Sequence, residues 1–281
     1  MTAALAVAGL HLPPAQADGG PDLAPATTAI EAAVAEGARL VLLPELFAWP
    51  CFTGEAPGAW RHAAETLAGP TVTWAAALAD RLETALLVPL ALAEGDGVFN
   101  AAVLVRPGRA PVVAARKIHL PPPSPGDGFG EADHFVPGPA EVACFDLDGF
   151  RIASFICFDR RFPESWRAAR AAGADLVLCP VNGPADEPDD FFLCELRTHA
   201  RENGVYALTA GRSGMEYLHG RTIAHMAPTA LVGPDGGTIA CRLSDAPPGH
   251  VIHTLTRDGL CRLRASSPFE RRRAIAGTVI C

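Results

Sequence analysis

Short apolar runs of β type alternate with helix-spaced stretches along almost the whole chain, and that alternation leaves few folds open. Apolar runs occupy residues 4–10, 39–43, 85–90, 100–106, 111–116, 142–146, 151–156, 174–179, 205–210, 230–233, 238–241 and 251–256. Within 22–36, 71–83, 163–172 and 189–203 the apolar positions recur every three or four residues, which predicts helices. The turns Asp146-Leu-Asp-Gly149 and Gly233-Pro-Asp-Gly236 read as hairpin connections. No repeat and no linker-like composition shift divides the chain. The pattern predicts an α/β fold in one layered domain over 1–281, with a core of about 4–256 and a C-terminal arm of about 257–281. The Pro- and Gly-rich stretch 121–130 suits neither strand nor helix and is expected to form a loop beside the site.

Composition narrows the function classes. With 281 residues, 49% hydrophobic and 19% charged, the chain suits a soluble globular protein. A net charge of -8 argues against nucleic acid or an anionic membrane as a partner, and leaves a small molecule. The eight cysteines (51, 144, 157, 179, 194, 241, 261 and 281) show no C-x-x-C pair or zinc-ribbon spacing. Several sit in apolar runs, as Cys179 does, and that usage points to a reducing cytoplasm rather than a disulfide framework. Nothing has metal-ligand spacing, so no cofactor is expected. The apolar start, residues 3–12, lacks the basic residue of a secretory signal and reads as a buried first strand. No run approaches the ~20 apolar residues that span a bilayer.

One junction carries chemistry. The run Arg151-Ile-Ala-Ser-Phe-Ile leads straight to Cys157, and Phe158, Asp159, Arg160, Arg161 and a helix-opening Pro163 follow. A thiol between strand and helix is exposed at a sheet edge, where N–H groups can face developing negative charge. Amide cleavage by a thiol also needs a base, an oxyanion donor and a proton source for the departing nitrogen. Glu45 ends an apolar strand after Pro44, where a carboxylate has no packing reason to sit; half-buried, it would have a raised pKa. Lys117 closes the 111–116 run, and its ammonium could stabilise an oxyanion and lower the Cys157 pKa. Each residue also has a plain alternative: a solvated Glu, a strand-edge Lys, a buried core thiol.

Taken together, Pro44-Glu45, Arg116-Lys117-Ile-His119-Leu120 and Cys157-Phe-Asp-Arg160-Arg161-Phe-Pro-Glu164 resemble the three signature segments of the nitrilase superfamily of carbon–nitrogen hydrolases. Glu131-Ala-Asp-His-Phe-Val-Pro137-Gly138, Gly173-Ala-Asp175-Leu and Ala200-Arg-Glu-Asn203-Gly-Val-Tyr206 extend the likeness from about residue 4 to at least 240. The resemblance implies an α-β-β-α sandwich, dimerising to a four-layer α-β-β-α-α-β-β-α arrangement, so that a homodimer or higher homo-oligomer is expected. It also implies roles. Glu45 would be the general base and Cys157 the nucleophile that forms a thioester. Lys117, with the Phe158 backbone N–H, would hold the oxyanion, and Glu131 would orient Lys117.

Within the superfamily, Arg160-Arg161 followed by Trp166-Arg167 is most similar to the N-carbamoyl-D-amino acid amidohydrolases, as are Val181-Asn182-Gly183 and Gly211-Arg-Ser-Gly214. Phe158, Arg160, Arg161 and Asn182 are therefore the expected substrate-binding residues. Two arginines near the thiol could grip a substrate carboxylate. The alternative is that Arg161 pairs internally with Asp159 or Glu164 and Arg160 alone serves substrate. Three departures from the carbamoylases concern substrate-facing positions: Phe158 replaces an asparagine, Gly183 replaces a threonine, and the 121–130 loop lacks their histidine. The expected substrate is an N-carbamoyl amino acid or similar carboxylate-bearing amide, with an ω-amidase or aliphatic amidase as the alternative. Nitrilase and acyltransferase activities and a non-enzymatic scaffold fit less well. His119 is expected to support the Lys117 strand. His199, His219 and His225 are read as structural, and Glu270-Arg-Arg-Arg273 as a solvated face or subunit contact.

Overall fold

The computed structural model describes residues 3–16, 20–52, 56–123, 128–183, 187–218 and 220–267. His219, Glu270-Arg-Arg-Arg273 and residues 124–127 of the expected 121–130 loop lie outside the described residues.

Two six-stranded sheets form the centre. In the first, β1 (Ala4–Leu12) lies between β13 (Gly249–Thr256) and β2 (Leu40–Leu42), followed by β3 (Ala85–Glu94), β4 (Gly97–Val105) and β5 (Val112–Arg116). The second runs β6 (Cys144–Leu147), β7 (Phe150–Ser154), β8 (Leu176–Val181), β9 (Tyr206–Leu218), β11 (Thr229–Val232) and β12 (Thr238–Arg242). Among the described residues they are joined where His11 and Leu12 pair with Gly211 and Arg212. Beyond that seam, β9 continues into an antiparallel hairpin with β10 (Arg221–Met226).

Strand alternation builds the layers. Leu5, Val7, Leu40 and Leu42 of one sheet meet Leu176, Leu178, Leu208 and Leu231 of the other in the central core. The intervening residues Ala8, Leu10, Val41 and Leu43 face outward onto α1 (Ala24–Ala35) and α3 (Pro70–Leu82). Val177, Cys179, Val181 and Val232 pack instead against Trp166 of α4 (Pro163–Ala171) and Phe192 of α5 (Asp189–Asn203). Both faces of each sheet are buried, which is why the strands read as continuous apolar runs. The result is the α-β-β-α sandwich of the nitrilase fold.

Differences from the sequence expectations are local. Helix α5 has the expected bounds, and α1, α3 and α4 fall within two residues of theirs. The short α2 (Pro57–Trp60), strand β10 and α6 (Arg257–Ser266) were not expected. In α6 only Leu260 is buried, so no apolar period marks it; a Thr256 side-chain cap on the Gly259 N–H starts it.

Candidate active site

Four expected residues converge at one end of the sandwich, three of them on chain segments that have just left a strand. Glu45 follows β2 in a tight turn, Lys117 follows β5, Glu131 opens a 3₁₀ turn (Glu131–Asp133), and Cys157 begins another (Cys157–Arg161) after β7. Leu46 (φ 49°) and Cys157 (φ 48°) both hold left-handed backbone, a conformation costly for side-chain-bearing residues. Strain of this kind beside two of the four residues fixes the directions in which the thiol and the carboxylate leave the backbone.

Lys117 is the hub. Its Nζ lies 2.8 Å from Glu45 Oε1, and 2.8 and 2.7 Å from the two oxygens of Glu131. All three side chains are at most 2% exposed. The plain readings of a solvated Glu and a strand-edge Lys are therefore excluded. Asn100, in the middle of β4, completes the cluster: its Nδ2 donates to Glu45 at 2.7 Å and to Glu131 at 2.9 Å. Sequence reasoning missed it. The signal was a lone carboxamide in an apolar strand, opposite Lys117, whose N–H bonds the Asn100 carbonyl at 2.8 Å.

Two carboxylates sharing one cation cannot behave alike. Burial pushes Glu45 up, but the Lys117 ammonium and donors from Lys117 and Asn100 outweigh it, leaving Glu45 below the ordinary value. The expected raised pKa of Glu45 is thus corrected: it is a carboxylate at neutral pH. Glu131 takes the opposite course, since burial and the Glu45 charge outweigh Lys117 and raise it to about 7. Burial would lower Lys117, yet the flanking carboxylates hold it well above its usual range.

Cys157 is half-buried beside Glu45 and Lys117, and the charges of both act on its thiol. Burial and then the Glu45 charge raise the thiol to about 12, against the opposing pull of Lys117 and Arg160. Lys117 does pull the thiol down, as expected, but burial and the Glu45 charge outweigh it. Cys157 therefore rests as a neutral thiol near an ionised carboxylate.

Asp159 fastens the thiol turn to the Lys117 segment. Its fully buried carboxylate accepts the N–H groups of Ile156 (3.1 Å), Ile118 (3.3 Å) and His119 (2.8 Å), with His119 Nδ1 at 2.7 Å. His119 also stacks on Phe162, with ring centroids 3.6 Å apart. His119 supports the segment after Lys117, as expected. Arg116 forks onto Glu94 at 2.6–3.0 Å and faces away from the cluster.

Residues 5–265 match the carbon–nitrogen hydrolase family. The chain belongs to it. It is similar to a hydrolase in the pqqF 5′ region of Pseudomonas protegens, 32% identical over 84% of this chain and 78% of that one. A deaminated glutathione amidase from Synechocystis is 29% identical over 87% of this chain and 89% of its own. A carbon–nitrogen hydrolase structure from Helicobacter pylori superposes with a TM-score of 0.82 at 21% identity, covering 98% and 96% of the two chains. The protein is thus an amide-hydrolysing enzyme of the nitrilase superfamily. Among the described residues, no helix is long and apolar enough to cross a membrane.

The substrate-binding expectations fare unevenly. Arg160 is 3% exposed, pairs closely with Glu187, lies 3.2 Å from Glu195 and sits over the Phe192 ring at 4.1 Å. Trp166 Nε1 donates to its carbonyl at 2.7 Å. Arg160 therefore ties the thiol turn to α5, and its guanidinium is engaged by two carboxylates rather than free. Arg161 pairs with Glu187 at 2.9 Å rather than with Asp159 or Glu164, and its side chain stays 39% exposed. Phe158 is half-buried between Phe162 and Arg161. Asn182 turns its N–H, rather than its side chain, to the cluster, donating to Glu45 Oε2 at 2.8 Å. Gly183 has φ +61°, and a Cβ there would meet Ala227 Cβ at 2.5 Å, so the threonine of the carbamoylases cannot fit this backbone. His225, expected to be structural, contacts Glu216 at 2.6 Å and the Asn182 carbonyl at 3.2 Å. His199 stacks on Trp166, as a structural residue does.

Proposed function

We propose that the enzyme cleaves small linear amides or N-carbamoyl compounds through a thioester on Cys157. The observation that carries this reading is the buried lysine shared by Glu45 and Glu131 beside the Cys157 thiol. Glu45 takes the Sγ proton as sulfur attacks the carbonyl carbon. The oxyanion is held by Lys117 and by the Phe158 N–H, an early N–H of the 3₁₀ turn with no partner inside it. Glu45 returns the proton to nitrogen, and ammonia leaves as the tetrahedral intermediate collapses. Water, deprotonated by the same carboxylate, then attacks the thioester, and the second intermediate expels Sγ. Glu131 holds Lys117 in place throughout.

Our first choice of substrate is an N-carbamoyl amino acid, whose cleavage releases ammonia and carbon dioxide. The Arg160-Arg161 and Trp166-Arg167 likeness supports it, with Arg161 the accessible guanidinium. A substrate carboxylate would have to exchange with Glu187 there. The neutralised Arg160 favours a second reading, an ω-amidase or aliphatic amidase that needs no double clamp, in line with the Synechocystis amidase relative. Pairing of two copies into the four-layer arrangement, and a cytoplasmic setting, belong to the same proposal.

The test is ammonia release from N-carbamoyl-D- and L-amino acids, N-carbamoyl-β-alanine, ω-amides and nitriles, with wild type and Cys157→Ala. Turnover of one N-carbamoyl enantiomer that vanishes in Cys157→Ala supports the first reading. Turnover of ω-amides alone supports the second, and turnover that survives Cys157→Ala overturns both.

A further inference from the structure

Behind Glu45, on the side away from Lys117, lies a second set of buried charges that the reaction as written does not use. Arg212 is fully buried on β9; its guanidinium donates to the carbonyl of Trp49 at 2.8 Å and closely to that of Leu46. These carbonyls belong to the turn that carries Glu45, including its strained Leu46. Farther along β9, Glu216 Oε1 accepts the Cys51 N–H at 2.8 Å, gripping the same segment a few residues on. The other Glu216 oxygen lies 2.6 Å from His225 Nε2, across the β9–β10 hairpin. The opposite ring nitrogen, Nδ1, faces the Asn182 carbonyl at 3.2 Å. The Asn182 N–H in turn donates to Glu45 Oε2 at 2.8 Å.

This arrangement brackets one carboxylate from two sides. Lys117 and Asn100 occupy Glu45 Oε1, and the Asn182 N–H occupies Oε2. The Asn182 peptide lies just beyond the end of β8, where no ladder bond holds it, and Gly183 beyond it is in left-handed backbone. Its carbonyl is held by His225, and the Gly183 carbonyl accepts the Met226 N–H at 2.7 Å. A carboxylate faces one nitrogen of this imidazole and a carbonyl the other; a ring that donates at both positions is held in one orientation, which it passes to the peptide.

We propose that Glu216 and His225 are positioning residues for Glu45: the β9–β10 hairpin clamps the Cys51 N–H and the Asn182 carbonyl, and so aims the Asn182 N–H at the carboxylate. This rests on the reading of Glu45 as the base. Neither residue touches the reacting atoms. Their effect is on the direction of the carboxylate, to which proton transfer is sensitive at the ångström scale.

The test is a double-mutant cycle between His225→Ala and Glu45→Gln, reading the rate at which iodoacetamide alkylates Cys157, together with kcat, KM and the thermal midpoint. Alkylation reports removal of the thiol proton without any need to know the substrate. His225→Ala is expected to slow alkylation and lower kcat by about 10- to 100-fold while KM moves little. In the Glu45→Gln background it should change alkylation less than about twofold, since the group it positions is gone. Where His225→Ala does not fold, Glu216→Gln, nearly isosteric, should show the same background-dependent loss at smaller size. An equal loss in both backgrounds, or none in wild type, overturns the positioning role and leaves the base reading standing. An unchanged alkylation rate in Glu45→Gln alone overturns the base reading, and this one with it.

Discussion

Glu45 and Glu131 share one ammonium, whereas Asp175 is met by two guanidinium groups. Both places are buried, and both hold carboxylates that hydrogen-bond on several sides. Asp175 is 2% exposed, lies 2.8 Å from Arg264 Nη1, close to Arg257, and accepts the Arg151 N–H at 3.0 Å. Arg264 also donates to the carbonyls of Gly204 and Ala174, so the cluster pins α6 to the second sheet. A carboxylate with surplus cation is a fastening. A pair of carboxylates short of cation must divide one positive charge, and the division leaves one ionised and the other titrating at about 7. Burial is common to both, and the balance of charge decides whether the acid holds structure or can move protons.

The largest effect that would break this contrast is expected from Lys117→Met. It strands two carboxylates without a cation, and we expect turnover to fall by about 10²–10³-fold or more and stability by about 3–5 kcal/mol. Steady-state kinetics and urea unfolding measure both; a variant with wild-type stability would show that the pair never depended on the shared charge.

Asp175→Asn should do the reverse, costing stability while sparing chemistry. Removing the carboxylate charge leaves Arg264 and Arg257 facing each other, for a loss of about 3 kcal/mol, at the low end for a buried pair because Arg257 retains solvent. Turnover per folded molecule should stay within about twofold of wild type. A large drop in kcat with unchanged unfolding would erase the distinction between the two clusters.

The smallest and sharpest effect is in pH dependence. The folded protein holds the Glu131 proton up to about 7, while an unfolded chain releases it near ~4.3. The folded state therefore binds the extra proton between those values. That contribution favours the fold at the acid end and is lost as pH rises through about 7. Glu131→Gln should flatten this part of the stability profile and remove an ionisation near 7 from the kcat/KM profile. An unaltered profile would assign that ionisation to another group.

The same contrast explains what could be read in the chain. Strand periodicity carried the two sheets, because Leu5, Val7, Leu40 and Leu42 alternate with residues facing the helices. Glu45, Lys117 and Cys157 were legible because each interrupts an apolar run at its end, where packing alone would not place it. Asn100 was not, since it sits inside a strand and its meaning depends on β5 pairing beside it. Arg160 misled because a basic residue near a thiol looks available until Glu187 and Glu195 arrive from the region of α5. Arg212, Glu216 and His225 act on residues more than forty positions away, and no local pattern announces such contacts. The pKa directions of Glu45 and Cys157 could not be read from the chain because each is a balance of burial against neighbours in space: the neighbours win at Glu45, while burial and the Glu45 charge win at Cys157.

The most direct test of the central claim is mass spectrometry of the enzyme quenched in acid during turnover of an amide from the active panel. A substrate acyl group on the peptide bearing Cys157, absent in Cys157→Ala and lost on a chase with water alone, is the result predicted here. Full turnover with no acyl group on that peptide at any quench time would contradict it.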